Sequence, residues 1–170
     1  MPARRITKQG EPVLNTKAET LVYEEIKKDL PKLLKDMWAT MYKANGVGLA
    51  APQIGLSIRL AVIDVKPEGK SHKLVLINPE IIETSGDVEE EEGCLSVPGL
   101  YAKVERRGKV KIRALNAEGE TYEMTGSGLL ARAFQHEIDH LNGKLFIDRL
   151  PLARRLKVQA LLKELKKTWK

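Results

Sequence analysis

The segment that most constrains this chain is residues 127–142, a helix-length run with apolar side chains on nearly every side. Leu129, Leu130, Ala133, Phe134, Ile138 and Leu141 surround its axis, so it reads as a helix enclosed by other elements. Ser127 stands as its N-cap and Gly143 as its stop. The same run carries Gln135-His136-Glu137-Ile138-Asp139-His140. Polar groups on a buried helix need partners. His136 and His140, four apart, project from one face, the spacing at which two imidazoles share a metal ion. Glu137 lies about 100° further round the turn, placed to reach a water at such an ion rather than to bind the ion itself.

Two imidazoles leave a metal site short of a protein donor. The metzincin pattern would put a histidine six residues beyond the second; Gly143 fits that pattern, but Phe146 stands at the histidine position. Glu164, a downstream carboxylate, sits among lysines that are its readier partners. Cys94, the only cysteine, remains. It lies in Glu92-Gly93-Cys94-Leu95-Ser96-Val97-Pro98-Gly99, a tight extended loop by its glycines and proline. A lone cysteine is otherwise an inert buried residue or a nucleophile. Here a thiolate completes a one-Cys, two-His donor set. A single cysteine also excludes an intramolecular disulfide and fits a reducing compartment.

A third segment, Gly46-Val47-Gly48-Leu49-Ala50-Ala51-Pro52-Gln53-Ile54-Gly55, is neither a phosphate loop nor a dinucleotide fingerprint. Its small residues let backbone approach a peptide-like ligand closely. Gln53 offers a neutral amide suited to an oxyanion.

The rest of the chain frames these segments. Its 170 residues, 42% apolar, make one domain, 1–170. No apolar run is long enough to span a membrane, and Met1-Pro2-Ala3-Arg4-Arg5 leads into no apolar stretch of a secretory signal. Leu30, Leu33, Leu34, Met37, Trp38 and Met41 form a helical stripe, with Pro31 in the first turn and Asn45-Gly46 as the stop. Strands are expected at 58–65, 74–82, 109–115 and 121–125, with turns at 66–69 and 116–119. The acidic run 89–92 reads mostly as a solvated loop. A last helix, 152–167, is expected to pack Leu152, Leu156, Leu161, Leu162 and Leu165. Together these give an α+β fold: antiparallel sheets around a central helix, plus an N-terminal and a C-terminal helix.

The net charge of +6 is confined to residues 151–170, which hold seven basic groups (Arg154, Arg155, Lys157, Lys163, Lys166, Lys167 and Lys170) against Glu164. This is either a solvated helix face or an address for a polyanion such as ribosomal RNA. In the second reading the first turns dock on the domain and 163–170 meet RNA.

The three motif segments, taken together, resemble peptide deformylase, and the similarity runs from about residue 11 to 150. Asn15 departs from it, standing where that family often has arginine. The resemblance implies cytoplasmic, bacterial removal of formyl from the N-terminal formyl-methionine of nascent polypeptides, releasing formate. It implies one divalent ion, usually iron(II), with zinc, nickel or cobalt also compatible with this donor set. Carried over by position, Cys94, His136 and His140 are ligands. Glu137 is the general base and acid for a metal-activated water, and Gln53 with the Leu95 N–H polarises the formyl oxygen. Val47, Gly48 and Gly93 are expected to pair with the extended peptide, and Leu129 to wall the methionine pocket. Asp139 is a candidate to orient a ligating imidazole, with loop capping and arginine pairing as its alternatives. A zincin-type endopeptidase and a ribosome-associated module with a structural metal are the competing readings; an unliganded Glu137 argues against the second.

Overall fold

The computed structural model describes residues 3–169. Met1 and Pro2 of the basic N-terminus and Lys170 of the basic tail lie outside the described residues. Five strands form one antiparallel sheet in the order β1 (Gly48–Ala50), β2 (Leu60–Ile63), β3 (Leu74–Gly93), β4 (Tyr101–Leu115) and β5 (Thr121–Ser127). Neighbours in space are neighbours in sequence. Among the described residues four α-helices accompany them: a single turn α1 (Tyr23–Ile26), then α2 (Leu30–Lys43), α3 (Gly128–Leu141) and α4 (Leu152–Lys166).

Strand β2 is buried along its whole length, and its alternation divides the core. Leu60 and Val62 face α2, packing with Leu30, Leu34, Met37 and Met41. Ala61 and Ile63 face α3, packing with Ala131, Phe134, Ile138 and Leu141. The enclosed helix expected from the sequence is α3, buried from Ala131 to Leu141 except at His136, which is partly exposed. Ser127 holds the N-cap position, but its hydroxyl makes no cap bond. Gly143 ends the helix region at φ +76°, where a Cβ would lie 2.9 Å from the Asn15 carbonyl carbon.

Strands β3 and β4 are longer than the sequence pattern suggests. The acidic run 89–92, expected as mostly solvated loop, is the end of β3. It pairs with β4 through Glu89↔Glu105, Glu90↔Val104, Glu91↔Lys103 and Glu92↔Ala102. The ladder holds these residues extended, and basic side chains on β4 offset part of their charge.

The C-terminal helix also differs from expectation. Leu152, Leu156 and Leu161 are exposed, while Val158 and Leu162 are buried, with Leu165 and Trp169 packed against the same cluster. Docking is therefore by the later turns rather than the first, and Trp169 Nε1 donates to the Pro98 carbonyl at 3.1 Å. Glu164 pairs with Lys167, as its neighbours suggested.

Asp64 fixes the connection between β2 and β3. Its carboxylate accepts from Tyr42 Oη (2.6 Å), Ser71 Oγ (2.7 Å), the His72 N–H (2.9 Å) and the Lys66 N–H (3.1 Å). Burial pushes its pKa up, but these donors outweigh burial and hold it well below the usual carboxylate range. Asp64→Ala is expected to cost about 2–3 kcal/mol in urea unfolding near neutral pH, because it removes buried charge-assisted bonds. Because the folded value is depressed, this contribution is complete above the unfolded value of about 3.9 and fades as pH falls through the folded one. The wild-type and variant stabilities should therefore converge in strong acid.

Candidate active site

The site forms where α3 passes beneath the end of β3 and the edge of β1. Beyond Gly93 the chain leaves the ladder and presents Cys94 towards α3; a Cβ on Gly93 would lie 2.6 Å from Tyr101 Cε1. Cys94 Sγ lies 3.3 Å from His140 Nε2, which is 3.2 Å from His136 Nε2. The three donor atoms fall within 4.8 Å of one another. Burial and the neighbouring His136 push His140 down towards its neutral, ligating form. Sulfur and two imidazole nitrogens at this spacing fit a single metal ion.

Glu137 approaches from the adjacent position on α3. Its Oε2 presses against β1 so closely that a Cβ on Gly48 would lie 2.5 Å away. Its Oε1 is buried with no protein partner among the described residues. Burial pushes the Glu137 carboxyl up to about 7, with Glu92 and Asp139 adding to the rise and His136 and Arg106 opposing it. Such a group can take and return a proton near neutral pH.

Gln53 is held from both ends. Its Oε1 accepts the Ala50 N–H at 2.9 Å, while its Nε2 donates to Ser96 Oγ at 3.1 Å and lies 3.7 Å from Cys94 Sγ. The N-terminal segment ties these walls together: the Thr7 N–H donates to the Gln53 carbonyl (2.7 Å) and the Gln9 N–H to the Ser96 carbonyl (2.8 Å).

A cleft of about 460 Å³ opens over this constellation. Gln53, Cys94, His136 and Glu137 line it, as do the expected peptide-contacting residues Val47, Gly48 and Gly93. Leu95 and the half-exposed Leu129 line it too. His140 lies below its floor, 1% exposed.

Asp139 does not orient an imidazole. It pairs with Arg106 Nη1 (2.6 Å) and with Arg149 Nη2 (2.6 Å), the arginine alternative. The group facing an imidazole is Glu92, whose Oε1 lies 3.6 Å from His136 Nδ1 and whose Oε2 accepts from Arg106 Nη2 at 2.7 Å. Burial would raise Glu92, yet His136 and Arg106 hold it down at about 2. The sequence concealed this role because Glu92 closes an acidic run. Its place two residues before Cys94 was the available signal. Phe146, at the metzincin histidine position, instead stacks on the His136 ring with centroids 6.4 Å apart.

An α+β scaffold that buries a His-Glu-x-x-His helix beside a strand-end cysteine is that of a hydrolase with room for one metal ion. The profile of the polypeptide deformylase family matches residues 3–156. A peptide deformylase of Acidobacterium capsulatum is 53% identical over 156 residues, covering 91% of each chain. One of Halothermothrix orenii is 53% identical over 151 residues, 88% of this chain and 95% of its own. Among solved structures, the peptide deformylase of Legionella pneumophila superposes with a TM-score of 0.88 at 46% identity, covering 98% of this chain and 96% of that one. That of Thermus thermophilus gives 0.88 at 40% identity, covering 98% and 99%. The chain belongs to the polypeptide deformylase family and is an enzyme.

The contact of Glu92 with His136 yields a test. Glu92→Gln keeps the shape and removes the charge, so divalent metal should dissociate about 10- to 100-fold more readily in a chelator competition, the usual scale for a carboxylate behind a ligating histidine.

Proposed function

We propose that this protein removes the formyl group from the N-terminal formyl-methionine of nascent polypeptides in the bacterial cytoplasm, releasing formate. The observation that carries this reading is the unpartnered Glu137 Oε1 beside the Cys94–His136–His140 cluster, within a cleft bordered by a short edge strand. A divalent ion held by Cys94, His136 and His140, with iron(II) the first choice and zinc, nickel or cobalt compatible, would supply Lewis acidity to the formyl oxygen and the attacking water.

The chain's own residues do the rest. Glu137 takes the proton of the attacking water and returns it to the departing amine, a transfer suited to a carboxyl near neutrality. The Gln53 amide, already fixed by Ala50 and Ser96, donates to the oxygen as charge develops there, together with the Leu95 N–H. Val47, Gly48 and Gly93 flank an extended peptide; β1 is an edge of the sheet, so an added strand finds backbone groups to pair with. Leu129 supplies an apolar wall for the methionine side chain. Glu137→Ala should retain metal and fold while formate release from a formyl-Met peptide falls by about 10² to 10⁴, the scale for a missing acid–base group. Survival of activity in that variant would remove Glu137 from the mechanism.

We also propose that the basic C-terminal helix meets ribosomal RNA. Lys163, Lys166 and Lys167 are exposed, as are Leu152, Leu156 and Leu161. Replacing the three lysines by glutamine should leave activity on short peptides intact. Ribosome co-sedimentation should weaken, and its salt slope should flatten by up to about one unit for each phosphate no longer neutralised. Unchanged co-sedimentation would make the lysines an ordinary solvated face.

A further inference from the structure

Five residues of α3 line the cleft at one helical face: Leu129, Arg132, Ala133, His136 and Glu137. Leu129 and Ala133 suit an apolar wall, and His136 and Glu137 belong to the site already described. Arg132 does neither. It is 7% exposed, and a guanidinium is seldom buried without full pairing. Its Nη1 lies 3.5 Å from Glu92 Oε1, and its Nη2 lies 3.3 Å from the Val88 carbonyl and 3.2 Å from the Val104 carbonyl. Strong charge-assisted bonds of this kind run about 2.7–2.9 Å. Arg106 already holds Glu92 at 2.7 Å, so Arg132 is the second cation on one carboxylate. A guanidinium carries more N–H donors than these long interactions use. Arg132 thus lines the cleft with N–H donors to spare beyond these three contacts.

We propose that Arg132 is a specificity-determining residue for the side chain next to the formyl group. It lets the pocket take a hydrogen-bond-accepting side chain, methionine sulfoxide above all, that a wholly aliphatic wall would reject. This rests on the deformylase reading of the cleft. Sulfoxide formation turns the thioether into a polar group with a strong acceptor oxygen. In an apolar pocket that oxygen would give up water without compensation; beside Arg132 it gains a charged donor.

The test compares kcat/KM for three peptides that begin with formyl-methionine, formyl-methionine sulfoxide and formyl-norleucine. The wild-type enzyme is expected to process the sulfoxide within about tenfold of norleucine, the side chain of similar shape with no acceptor. A wild-type ratio worse than about one in a hundred overturns the proposal with no variant needed. In Arg132→Met the sulfoxide-to-norleucine ratio should fall at least about tenfold, and Arg132→Lys should recover part of it. Bound metal is measured in each variant. An equal drop on all three peptides would show that Arg132 only ties β3 to β4, and overturns the proposal. If the wild type releases no formate from any of the three, the deformylase reading itself fails, which separates the two outcomes.

Discussion

The structure depends on enclosing a helix that carries charges. With sheet on one side and the Cys94 loop on the other, α3 has little solvent in which to leave a polar side chain. Each such group must be answered by protein or reserved for chemistry. Glu92, Arg106, Asp139 and Arg149 form a chain of ion pairs, from 3.6 Å at His136 to 2.6 Å at the Arg149 end, which leaves the enclosure at a half-exposed guanidinium. Removing one partner from such a chain strands the next charge in low dielectric. The fold can hold a proton-transfer carboxyl and two imidazoles at its centre because this chain fixes the remaining charges beside them.

Much of that arrangement is legible in the sequence, and for a physical reason. A helix apolar on most sides can only be interior, and histidines four apart on it can only share a face. Cys94, His136 and His140 do converge, and Gln53 does reach the same cleft. The helical stripe of α2 is recovered from its period, and the position of α3 from its all-round apolar residues between Ser127 and Gly143. Strand ends are not. Residues 83–92 carry one apolar side chain, Val88, and in 101–108 the inward face of Ala102 and Val104 continues through the charged Arg106, so the alternation is too weak to announce a strand; their extended form comes from pairing with one another across the sheet. Of the α4 leucines expected to pack, Leu162 and Leu165 do, whereas Leu152, Leu156 and Leu161 are exposed and Val158 supplies a buried contact that the leucine pattern does not announce.

The partners of Glu92 and Asp139 are harder still. Only its place two residues before Cys94 separates, locally, the one carboxylate that faces His136 from three neighbours that face solvent. The distinction is made by Arg106, fourteen residues further along and on another strand. The carboxylate three residues beyond His136 in the helix turns away towards Arg149 instead. Local pattern gives the donors of a site well and the supports of those donors poorly, because supports are chosen by tertiary pairing.

The order of the sheet carries a consequence for how the molecule is made. A meander of five sequential strands can assemble from the N-terminal end as the chain lengthens, each hairpin closing a short loop. Its α3-facing side, with Ala61, Ile63, Leu76, Val110 and Ile112, has no cover until the last third of the chain arrives. During synthesis the half-built sheet therefore presents a continuous apolar surface, the kind on which nascent chains associate wrongly. Emergence of a single helix both seals that surface and delivers the last two donors of the candidate metal cluster, so burial of the core and assembly of the site occur as one event.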